Sequence, residues 1–255
     1  MDWLLNSQAL TMISIVVIIV SYSTIYWYVR VPGESVRIGL VRTTAWIVLH
    51  LYHRLRIDRR DPLPKKGAAI VIANHRSGID PVALSVATCR RIHFLMAREY
   101  YETVGLRWLF RDLECIPVNR DGNDWGALKT ALRYLKQGRV IGIFPQGGIR
   151  GPEEILDEGK GGVALMAAKT QTSLYPFFIA GSPHYDSMLR CFLTPSRTRI
   201  TCGEPFRLNP VRDQKLSRAE QAELTQQVLY SIAKLAENDF DTCQTGSTTS
   251  RRNPT

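Results

Sequence analysis

Six short apolar runs alternate with helical patterns from residue 67 onward, and no other feature restricts the fold of this chain as strongly. The runs lie at residues 67–73, 92–97, 115–118, 139–144, 174–179 and 198–203. Helical patterns fill the gaps between them, at residues 81–90, 105–113, 124–138 and 160–171. Strands and helices that alternate in this way are typical of α/β layers with parallel strands. We therefore predict an α/β fold in which a largely parallel mixed sheet is flanked by helices.

The N-terminal segment has a different character, because no charged residue occurs from Trp3 to Val29. A helix of that length spans roughly 40 Å, more than the roughly 30 Å hydrocarbon core of a bilayer. Aromatic residues occupy positions 26–28, where an interfacial belt would lie, and Arg30 follows them. A cleaved signal peptide is disfavoured, since the basic n-region and an A-x-A cleavage site are both missing. Residues 1–30 are therefore predicted to form an uncleaved membrane-anchor helix.

The positive charge of the chain is concentrated next to this anchor. The formal net charge is +10, and six of the ten excess charges lie between Arg30 and Lys66. Residues 38–58 mix apolar positions with arginine and histidine, which is typical of a helix that lies on or dips into the headgroup layer. Residues 31–60 are therefore predicted to be a basic amphipathic interfacial segment. Because every lysine and arginine follows the anchor, the positive-inside rule predicts that the remaining chain lies on the cytoplasmic face.

Residues 61–240 are predicted to form a single domain, because no internal repeat or second linker interrupts them. A last helix is expected to begin near Ser217, where Ser217 and Glu220 form a capping-box pattern. The polar tail at residues 241–255 is predicted to be disordered. The five cysteines are scattered and form no CxxC pair or Cys/His cluster, which indicates reduced thiols and no metal site.

Three of the predicted strands adjoin polar stretches, at the position where open α/β sheets bind ligands. The sequence NHRSGIDP follows the first run, ECIPVNRDG surrounds the third, and IFPQGGIRGP ends the fourth. The chain contains no GxSxG elbow, no GxxxxGK[ST], no GxGxxG and no HExxH sequence. Serine hydrolases, P-loop nucleotide-binding proteins and zinc proteases of the HExxH type therefore lose their main support.

In the first of these stretches His75 and Asp80 lie five residues apart. An imidazole can take a proton from a hydroxyl near neutral pH, and a carboxylate bonded to its other nitrogen fixes its tautomer. A structural interpretation is equally open. Asp80 precedes Pro81 and can be the N-cap of a helix, while His75 bonds a backbone carbonyl. The spacing alone does not separate a catalytic pair from a helix start.

The other two stretches carry possible anion-binding groups. The backbone amides of Gly147 and Gly148 can approach an oxyanion or a phosphate, and Arg150 stands beside them. Arg120 offers a guanidinium group that suits phosphate recognition. Each signal is weak alone, because a strand-to-turn connection explains the glycine pair and an exposed arginine is ordinary.

Taken together and in order, these stretches resemble the glycerolipid acyltransferase superfamily, which includes bacterial 1-acyl-glycerol-3-phosphate acyltransferases. Its N-H-x4-D block is met by Asn74, His75 and Asp80. Its I-P-V-x-R block is met by Ile116, Pro117, Val118 and Arg120, and its F-P-E-G-T-R block is met in part by Phe144, Pro145 and Gly147. The likeness covers roughly residues 45 to 210, and several blocks in the right order are far more specific than one.

The resemblance implies a membrane-bound O-acyltransferase, active on membrane lipids, whose single catalytic domain follows the anchor. The acyl group moves from acyl-CoA or acyl-carrier protein, as a co-substrate, to the hydroxyl of a lyso-lipid, and no cofactor, metal or nucleic acid is implied. In this scheme His75 is the general base and Asp80 orients it. The substrate-binding residues that the resemblance implies are Asn74, Arg120, Phe144, Pro145, Gln146, Gly147, Gly148 and Arg150.

The third block departs from the family pattern. Gln146 stands where the family usually has glutamate, Gly148 replaces threonine, and Arg150 comes one residue later than the usual arginine. These departures leave the expected base intact and bear on the acceptor. The first expectation is 1-acyl-glycerol-3-phosphate, which gives phosphatidate. The alternatives are another lyso-lipid or a hydroxylated lipid without phosphate, and a catalytically silent lipid-binding protein.

Overall fold

The computed structural model describes residues 2–59, 61–119, 124–150, 159, 161–185, 187–208 and 217–248. The helices in these ranges are α1 (Asp2–Val29), α2 (Val36–Leu51), α3 (Asp80–Ala87), α4 (Arg98–Tyr101), α5 (Arg107–Asp112), α6 (Trp125–Lys136), α7 (Gly162–Thr170), α8 (Met188–Leu193) and α9 (Arg218–Thr248). The strands are β1 (Arg56–Ile57), β2 (Ala69–Ala73), β3 (Ile92–Ala97), β4 (Ile116–Val118), β5 (Val140–Ile143), β6 (Leu174–Ala180) and β7 (Arg199–Cys202). All six predicted apolar runs form strands.

The described strands make one sheet in the order β1-β7-β6-β2-β5-β3-β4. Every neighbouring pair is parallel except β6 and β7, which are antiparallel. The predicted α/β fold with a largely parallel mixed sheet is therefore confirmed. Because β2, β3, β4, β5 and β6 run in the same direction, their carboxyl ends meet at one edge of the sheet. The residues that follow these five strands are brought together at that edge.

Helices cover both faces of the sheet, and the alternation of side chains along β2 shows how. Ile70 and Ile72 belong to a buried cluster with residues of α6, α7 and α9. Val71 and Ala73 point to the opposite face, into a second cluster with residues of α3 and with Cys191 of α8. All five residues of β2 are buried, as expected for a central parallel strand. The carboxyl edge of the sheet is thus supported by a rigid, two-sided core.

The N-terminal helices form a hairpin. Tyr22 hydroxyl lies 3.1 Å from the Leu40 carbonyl oxygen, and a Cβ on Gly39 would lie 2.6 Å from the Tyr26 ring. Among the described residues, the part of α1 from Leu10 to Val29 is the single helix segment long and apolar enough to cross a membrane, with a mean hydropathy of 1.9 and no burial within the fold. An exposed apolar surface of this kind is typical of a contact with a membrane or a protein.

A buried ion pair attaches this hairpin to the rest of the fold. Arg42 of α2 bonds Glu34 with two nitrogens, at 2.8 and 3.1 Å, and both side chains are almost fully buried. A third nitrogen of Arg42 donates to the Ser85 carbonyl oxygen in α3. Because a buried charge without its partner is costly, these contacts fix α2 against the helix that follows His75.

The structure differs from the sequence predictions at two boundaries. The sheet begins at β1, inside the segment 31–60 that was predicted to be interfacial, because Leu55 is buried in the core and the next two residues pair with β7. Helix α9 continues through residues 241–248, where disorder was predicted. Once a helix is nucleated, each added residue gains a hydrogen bond, and no proline interrupts this stretch. Residues 249–255 lie outside the described part of the chain.

Candidate active site

Asn74 links the end of β2 to β6 through its side chain. Its Nδ2 donates to the Ile179 carbonyl oxygen at 2.9 Å, and its Oδ1 accepts the Ile179 N–H at 2.7 Å. Asn74 is 1% exposed. The amide continues the strand ladder and so fixes where the chain leaves the sheet. These contacts fix the backbone directly before His75, and the substrate contact of Asn74 stays a prediction.

Asp80 gathers three N–H groups onto one carboxylate oxygen. Its Oδ2 accepts from His75 Nδ1 at 3.1 Å and from the backbone N–H groups of Arg76 and Ser77, each at 2.7 Å. Asp80 is fully buried, whereas the His75 side chain is 18% exposed. The bond assigns the Nδ1 proton to the Asp80 side, so that Nε2 carries the free lone pair of the neutral ring. The pair thus has the geometry of a base and the carboxylate that orients it.

The start of α3 separates the two interpretations that the sequence left open for Asp80. The N-cap of α3 is Ile79, and no side chain bonds the first amides of that helix. Asp80 is the first helical residue, and its carboxylate turns back toward residues 75–77. Pro81 loses nothing by lacking an N–H at this position. Asp80 opens the helix with its backbone and holds the histidine turn with its side chain.

Three stacked rings fix the plane of the imidazole. The centroids of His75 and Phe144 lie 4.1 Å apart with an interplanar angle of 18°, and Phe144 stacks in turn on Phe94 at 5.8 Å. A Cβ on Gly142 would lie 2.5 Å from the Phe94 ring, so only glycine leaves room for the stack. The aromatic support of His75 therefore comes from β3 and from the residue that follows β5, not from its own turn.

The loop that follows β5, residues 144–150, is bonded to the His75 backbone from both sides. Gln146 Oε1 accepts the His75 N–H at 3.1 Å, and the Arg150 N–H donates to the His75 carbonyl oxygen at 2.8 Å. Gln146 is 5% exposed, and Pro145 is also buried. Gln146 therefore uses its carbonyl oxygen to hold the backbone of His75, a contact that its motif position did not predict. We call residues 144–150 the β5 loop.

The glycines of the β5 loop leave its tip open. Gly147 adopts φ +71° and closes a turn by donating its N–H to the Phe144 carbonyl oxygen at 3.0 Å. A Cβ on Gly148 would meet no atom within 4 Å. A ligand can therefore approach the backbone of this loop closely. Arg120, the remaining predicted site residue, lies outside the described residues.

Two residues at the same sheet edge escaped the sequence reasoning. Arg98 follows β3, and its Nε donates to Asn119 Oδ1 at 2.6 Å, directly before the position of Arg120 in the chain. His184 follows β6, and its Nδ1 lies 2.8 Å from the Arg76 carbonyl oxygen. Both are polar residues soon after an apolar run, and that signal alone marks too many positions. Among the described residues, no group of three or more His, Cys, Asp and Glu side chains could hold a metal ion.

The sequence is similar to known acyltransferases over its central part. Residues 54–180 match the sequence model of the family described as Acyltransferase. The chain is 22% identical over 161 residues to the 1-acyl-sn-glycerol-3-phosphate acyltransferase of Bacillus subtilis (strain 168), covering 63% of this chain and 77% of that protein. It is 24% identical over 179 residues to the protein of the same name from Streptococcus pneumoniae, covering 68% and 62% of the two chains.

The fold is also similar to a solved structure. The crystal structure of the 1-acyl-sn-glycerophosphate (LPA) acyltransferase PlsC from Thermotoga maritima superimposes with a TM-score of 0.56 and 20% sequence identity. The match covers 85% of this chain and 88% of that chain, so the likeness extends over nearly the whole fold. At this identity the likeness shows the fold alone.

Proposed function

We propose that this chain, an acyltransferase of the glycerolipid acyltransferase superfamily, acylates the free hydroxyl of a lyso-lipid at a membrane surface. The proposed donor is acyl-CoA or acyl-carrier protein. The proposed acceptor is 1-acyl-glycerol-3-phosphate, and the product is then phosphatidate. The observation that carries the proposal is the His75–Asp80 pair, held at 3.1 Å at the carboxyl edge of the sheet.

In the proposed mechanism His75 Nε2 takes the proton of the acceptor hydroxyl. The hydroxyl oxygen attacks the thioester carbonyl carbon of the donor and forms a tetrahedral intermediate. When the intermediate collapses, the carbon–sulfur bond breaks and the thiol leaves with the proton from the imidazolium. Asp80 stabilises the imidazolium through the bond to Nδ1, and Phe144 keeps the ring in plane during both transfers.

The β5 loop is the proposed place for the reacting carbonyl. It is bonded to the His75 backbone at Gln146 and Arg150, so its tip keeps a fixed distance from the base. The open space at Gly148 allows the backbone there to contact the developing oxyanion. Removal of one such hydrogen-bond donor from an enzyme raises the activation free energy by about 2.7–4 kcal/mol. Gln146 contributes position and no charge, in contrast to the usual glutamate of the family.

A phosphate-bearing acceptor is favoured by Arg98, which follows β3. Arg98 is bonded to Asn119, and Arg120 is the next residue in the chain. Strand β3 is two places from β2 in the sheet, roughly 10 Å at the usual strand spacing. An arginine that follows β3 can pair with the phosphate of an acceptor whose hydroxyl reaches His75 Nε2. Two relatives whose names specify 1-acyl-sn-glycerol-3-phosphate add support.

Membrane attachment is proposed to come from α1 and α2. Ile18 and Ile19 of α1 are 66% and 58% exposed, and burial of such side chains in lipid gains roughly 1.5–3 kcal/mol each. Helix α2 lies beside α1 and carries exposed Val36 and Leu40. The basic residues that follow α1 favour the cytoplasmic face for the catalytic domain.

One assay tests the acceptor directly. The purified full chain is incubated in detergent with labelled acyl-CoA or acyl-carrier protein and a panel of lyso-lipids with and without phosphate. We expect the highest kcat/KM with 1-acyl-glycerol-3-phosphate. Arg98→Gln is expected to raise KM for that acceptor about tenfold, as loss of a charged hydrogen bond does, and to leave acceptors without phosphate unchanged. Arg133→Gln, an exposed arginine on α6, is the matched control.

Other outcomes would replace the proposal. Equal turnover of acceptors with and without phosphate would contradict the acceptor assignment and leave the acyl transfer in place. Absence of transfer with every donor and acceptor, together with specific lipid binding, would favour a catalytically silent lipid-binding protein.

A further inference from the structure

A cluster of apolar side chains lies exposed where α8 meets the end of α2. Leu51 is 76% exposed, Leu189 is 67% exposed and Leu193 is 65% exposed, and Tyr52 beside them is 42% exposed. Single exposed apolar residues are ordinary, but a contiguous group marks an interaction site. We call these four residues, with the exposed Arg54, Arg190 and Arg197 around them, the α8 patch.

The patch is continuous and firmly held. Tyr52 hydroxyl donates to the Leu193 carbonyl oxygen at 2.7 Å, and His53 contacts the Phe192 carbonyl oxygen at 3.2 Å. Leu189 and Leu193 lie four residues apart, on one face of α8. The opposite face is anchored by Cys191, which is fully buried in the core. The two leucines therefore point outward because the helix is fixed, and neither can turn inward.

Positive charge surrounds this apolar surface. Leu51, Tyr52, Arg54 and Arg197 line a shallow hollow together with Pro195 and Ser196, and no carboxylate is among those lining residues. The Arg190 guanidinium lies 5.3 Å from the centroid of the Tyr185 ring, at the edge of the patch. Apolar side chains ringed by arginine and tyrosine match the boundary between acyl chains and anionic headgroups.

The patch also adjoins the proposed catalytic turn. A Cβ on Gly78 would lie 3.1 Å from Met188 Cγ, so the first residue of α8 packs on the turn between His75 and Asp80. The loop before α8 reaches the same turn, because His184 contacts the Arg76 carbonyl oxygen. A surface that contacts α8 is therefore only one side chain, that of Met188, away from the turn.

We infer that the α8 patch is a second membrane contact, which inserts Leu51, Leu189 and Leu193 into a bilayer containing anionic lipid. The inference rests on the proposed function, because it extends the proposed contact of α2, whose last residue is Leu51. Leu189 and Leu193 protrude beside a hollow that is only shallow, which favours a bilayer over a folded protein as the occupant. The contact sets the height of the catalytic turn over the bilayer, so that a lyso-lipid reaches His75 without leaving the membrane.

Site-directed fluorescence tests the contact. Single cysteines at Leu189, at Leu40 of α2 and at Tyr230 of α9 carry an NBD label, in a full chain with Cys89→Ser and Cys243→Ser. Burial raises the pKa of the Cys115 thiol to about 12, and burial with the Asp58 charge raises the pKa of Cys202, so these thiols resist labelling at neutral pH. Each protein is placed in nanodiscs of phosphatidylcholine and phosphatidylglycerol that carry a nitroxide on the acyl chain.

We expect the nitroxide to quench the label at residues 40 and 189 and to leave residue 230 bright. Quenching at 40 without quenching at 189 would overturn this inference alone. Absence of quenching at both would instead contradict the proposed membrane attachment and this inference with it. A label at 189 that responds to acyl-carrier protein in discs without nitroxide, and is not quenched by lipid, would assign the patch to a protein partner and overturn the inference.

A kinetic test complements the fluorescence. Leu189→Ser with Leu193→Ser is expected to lower the rate on a lyso-lipid embedded in nanodiscs roughly tenfold or more, since each leucine loses its apolar contact. The rate on a short-chain acceptor dissolved below its micelle concentration is expected to stay at the wild-type value. Tyr230→Ser is the control. An unchanged rate in nanodiscs, or equal losses with both acceptors, would contradict the inference.

Discussion

Two histidine–carboxylate pairs lie at opposite edges of the same sheet, and only one has the geometry of a base. His75 Nδ1 lies 3.1 Å from Asp80 beyond the carboxyl end of β2, and its ring is partly open to solvent. His93 Nδ1, near the amino end of β3, lies 3.9 Å from Glu114, and its side chain is 4% exposed. The residue types are alike, so the difference between the pairs comes from their surroundings.

The His93 pair is a structural ion network. The Glu114 carboxylate bonds Arg139 at 2.9 Å and Arg91 at 3.2 Å. These two arginines balance its charge, so the carboxylate is directed at them and not at His93. His93 Nδ1 makes no hydrogen bond among the described residues. Burial lowers the pKa of His93, against the smaller opposing effect of the Glu114 charge. A neutral, enclosed imidazole of this kind cannot meet a substrate.

The comparison shows what separates a base from a buried histidine. Asp80 bonds no cation among the described residues, and its N–H partners are the His75 ring and two backbone amides of the same turn. The carboxylate is therefore directed at the imidazole, and the ring keeps one nitrogen toward the open side.

Asp80→Asn is expected to lower kcat by about 1,000-fold or more, because the imidazole loses the carboxylate that fixes its tautomer. Glu114→Gln is the matched change in the other pair. This variant is expected to have the wild-type kcat. Its free energy of unfolding is expected to fall by up to about 1 kcal/mol, because the arginine partners of Glu114 are partly exposed. Steady-state kinetics and denaturant unfolding of both variants give the comparison. Similar losses of kcat in the two variants would remove the distinction between the pairs.

Gln146→Ala is expected to lower kcat about tenfold, because the His75 N–H loses its acceptor and small displacements of a catalytic group cost up to about 100-fold. The lost bond is also expected to cost about 1 kcal/mol of stability. Gln146→Glu keeps an acceptor oxygen at the same place and is expected to stay near the wild-type rate. If Gln146→Ala and the wild type have equal kcat, the β5 loop does not position His75.

The smallest effect concerns the pH dependence of stability. Because burial lowers the pKa of His93 below its value in the unfolded chain, the unfolded state binds more protons below about pH 6.5. The free energy of unfolding is therefore expected to fall as the pH drops from 7.5 to about 5.5. His93→Gln removes part of that slope. Burial lowers the pKa of His53 in the same direction, so a residual slope remains.

Denaturant unfolding of the full chain in detergent, repeated across this pH range, measures the slope. The side chains that face His93 from neighbouring elements are left unchanged. They are Arg91, Glu114, Tyr134 and Arg139. A slope that is identical in the wild type and His93→Gln would show that folding does not change the proton binding of His93, which would contradict the lowered pKa.

The strands and the His75–Asp80 turn could be predicted because their determinants are local. Six apolar runs predicted six of the seven described strands to within about two residues, as expected for element boundaries, and β1 was missed. The capping box at Ser217 is present, with Glu220 bonding the Ser217 N–H at 2.8 Å. The five-residue spacing of the turn restricts which atoms can meet. The spacing could not show whether Asp80 is the N-cap of a helix or the partner of His75.

The supporting contacts of the site could not be predicted, because they join residues far apart in sequence. Gln146 reaches His75 across 71 positions, and the ring stack depends on the register of β3 and β5. Arg98 and His184 lie at the same edge of the sheet as His75 only because β3 and β6 run parallel to β2. Helix α8 is six residues long, too short for a periodic pattern. These features depend on the order of the strands in the sheet, which could not be predicted from a single sequence.

The central claim is that His75, and not another group at this edge, takes the proton from the acceptor. The most direct measurement is single-turnover acyl transfer by purified His75→Ala in nanodiscs, with His93→Gln as the matched histidine control. We expect no product above background from His75→Ala, wild-type product from His93→Gln, and cooperative unfolding of both proteins. Product formed by folded His75→Ala at a rate near that of the wild type would contradict the account.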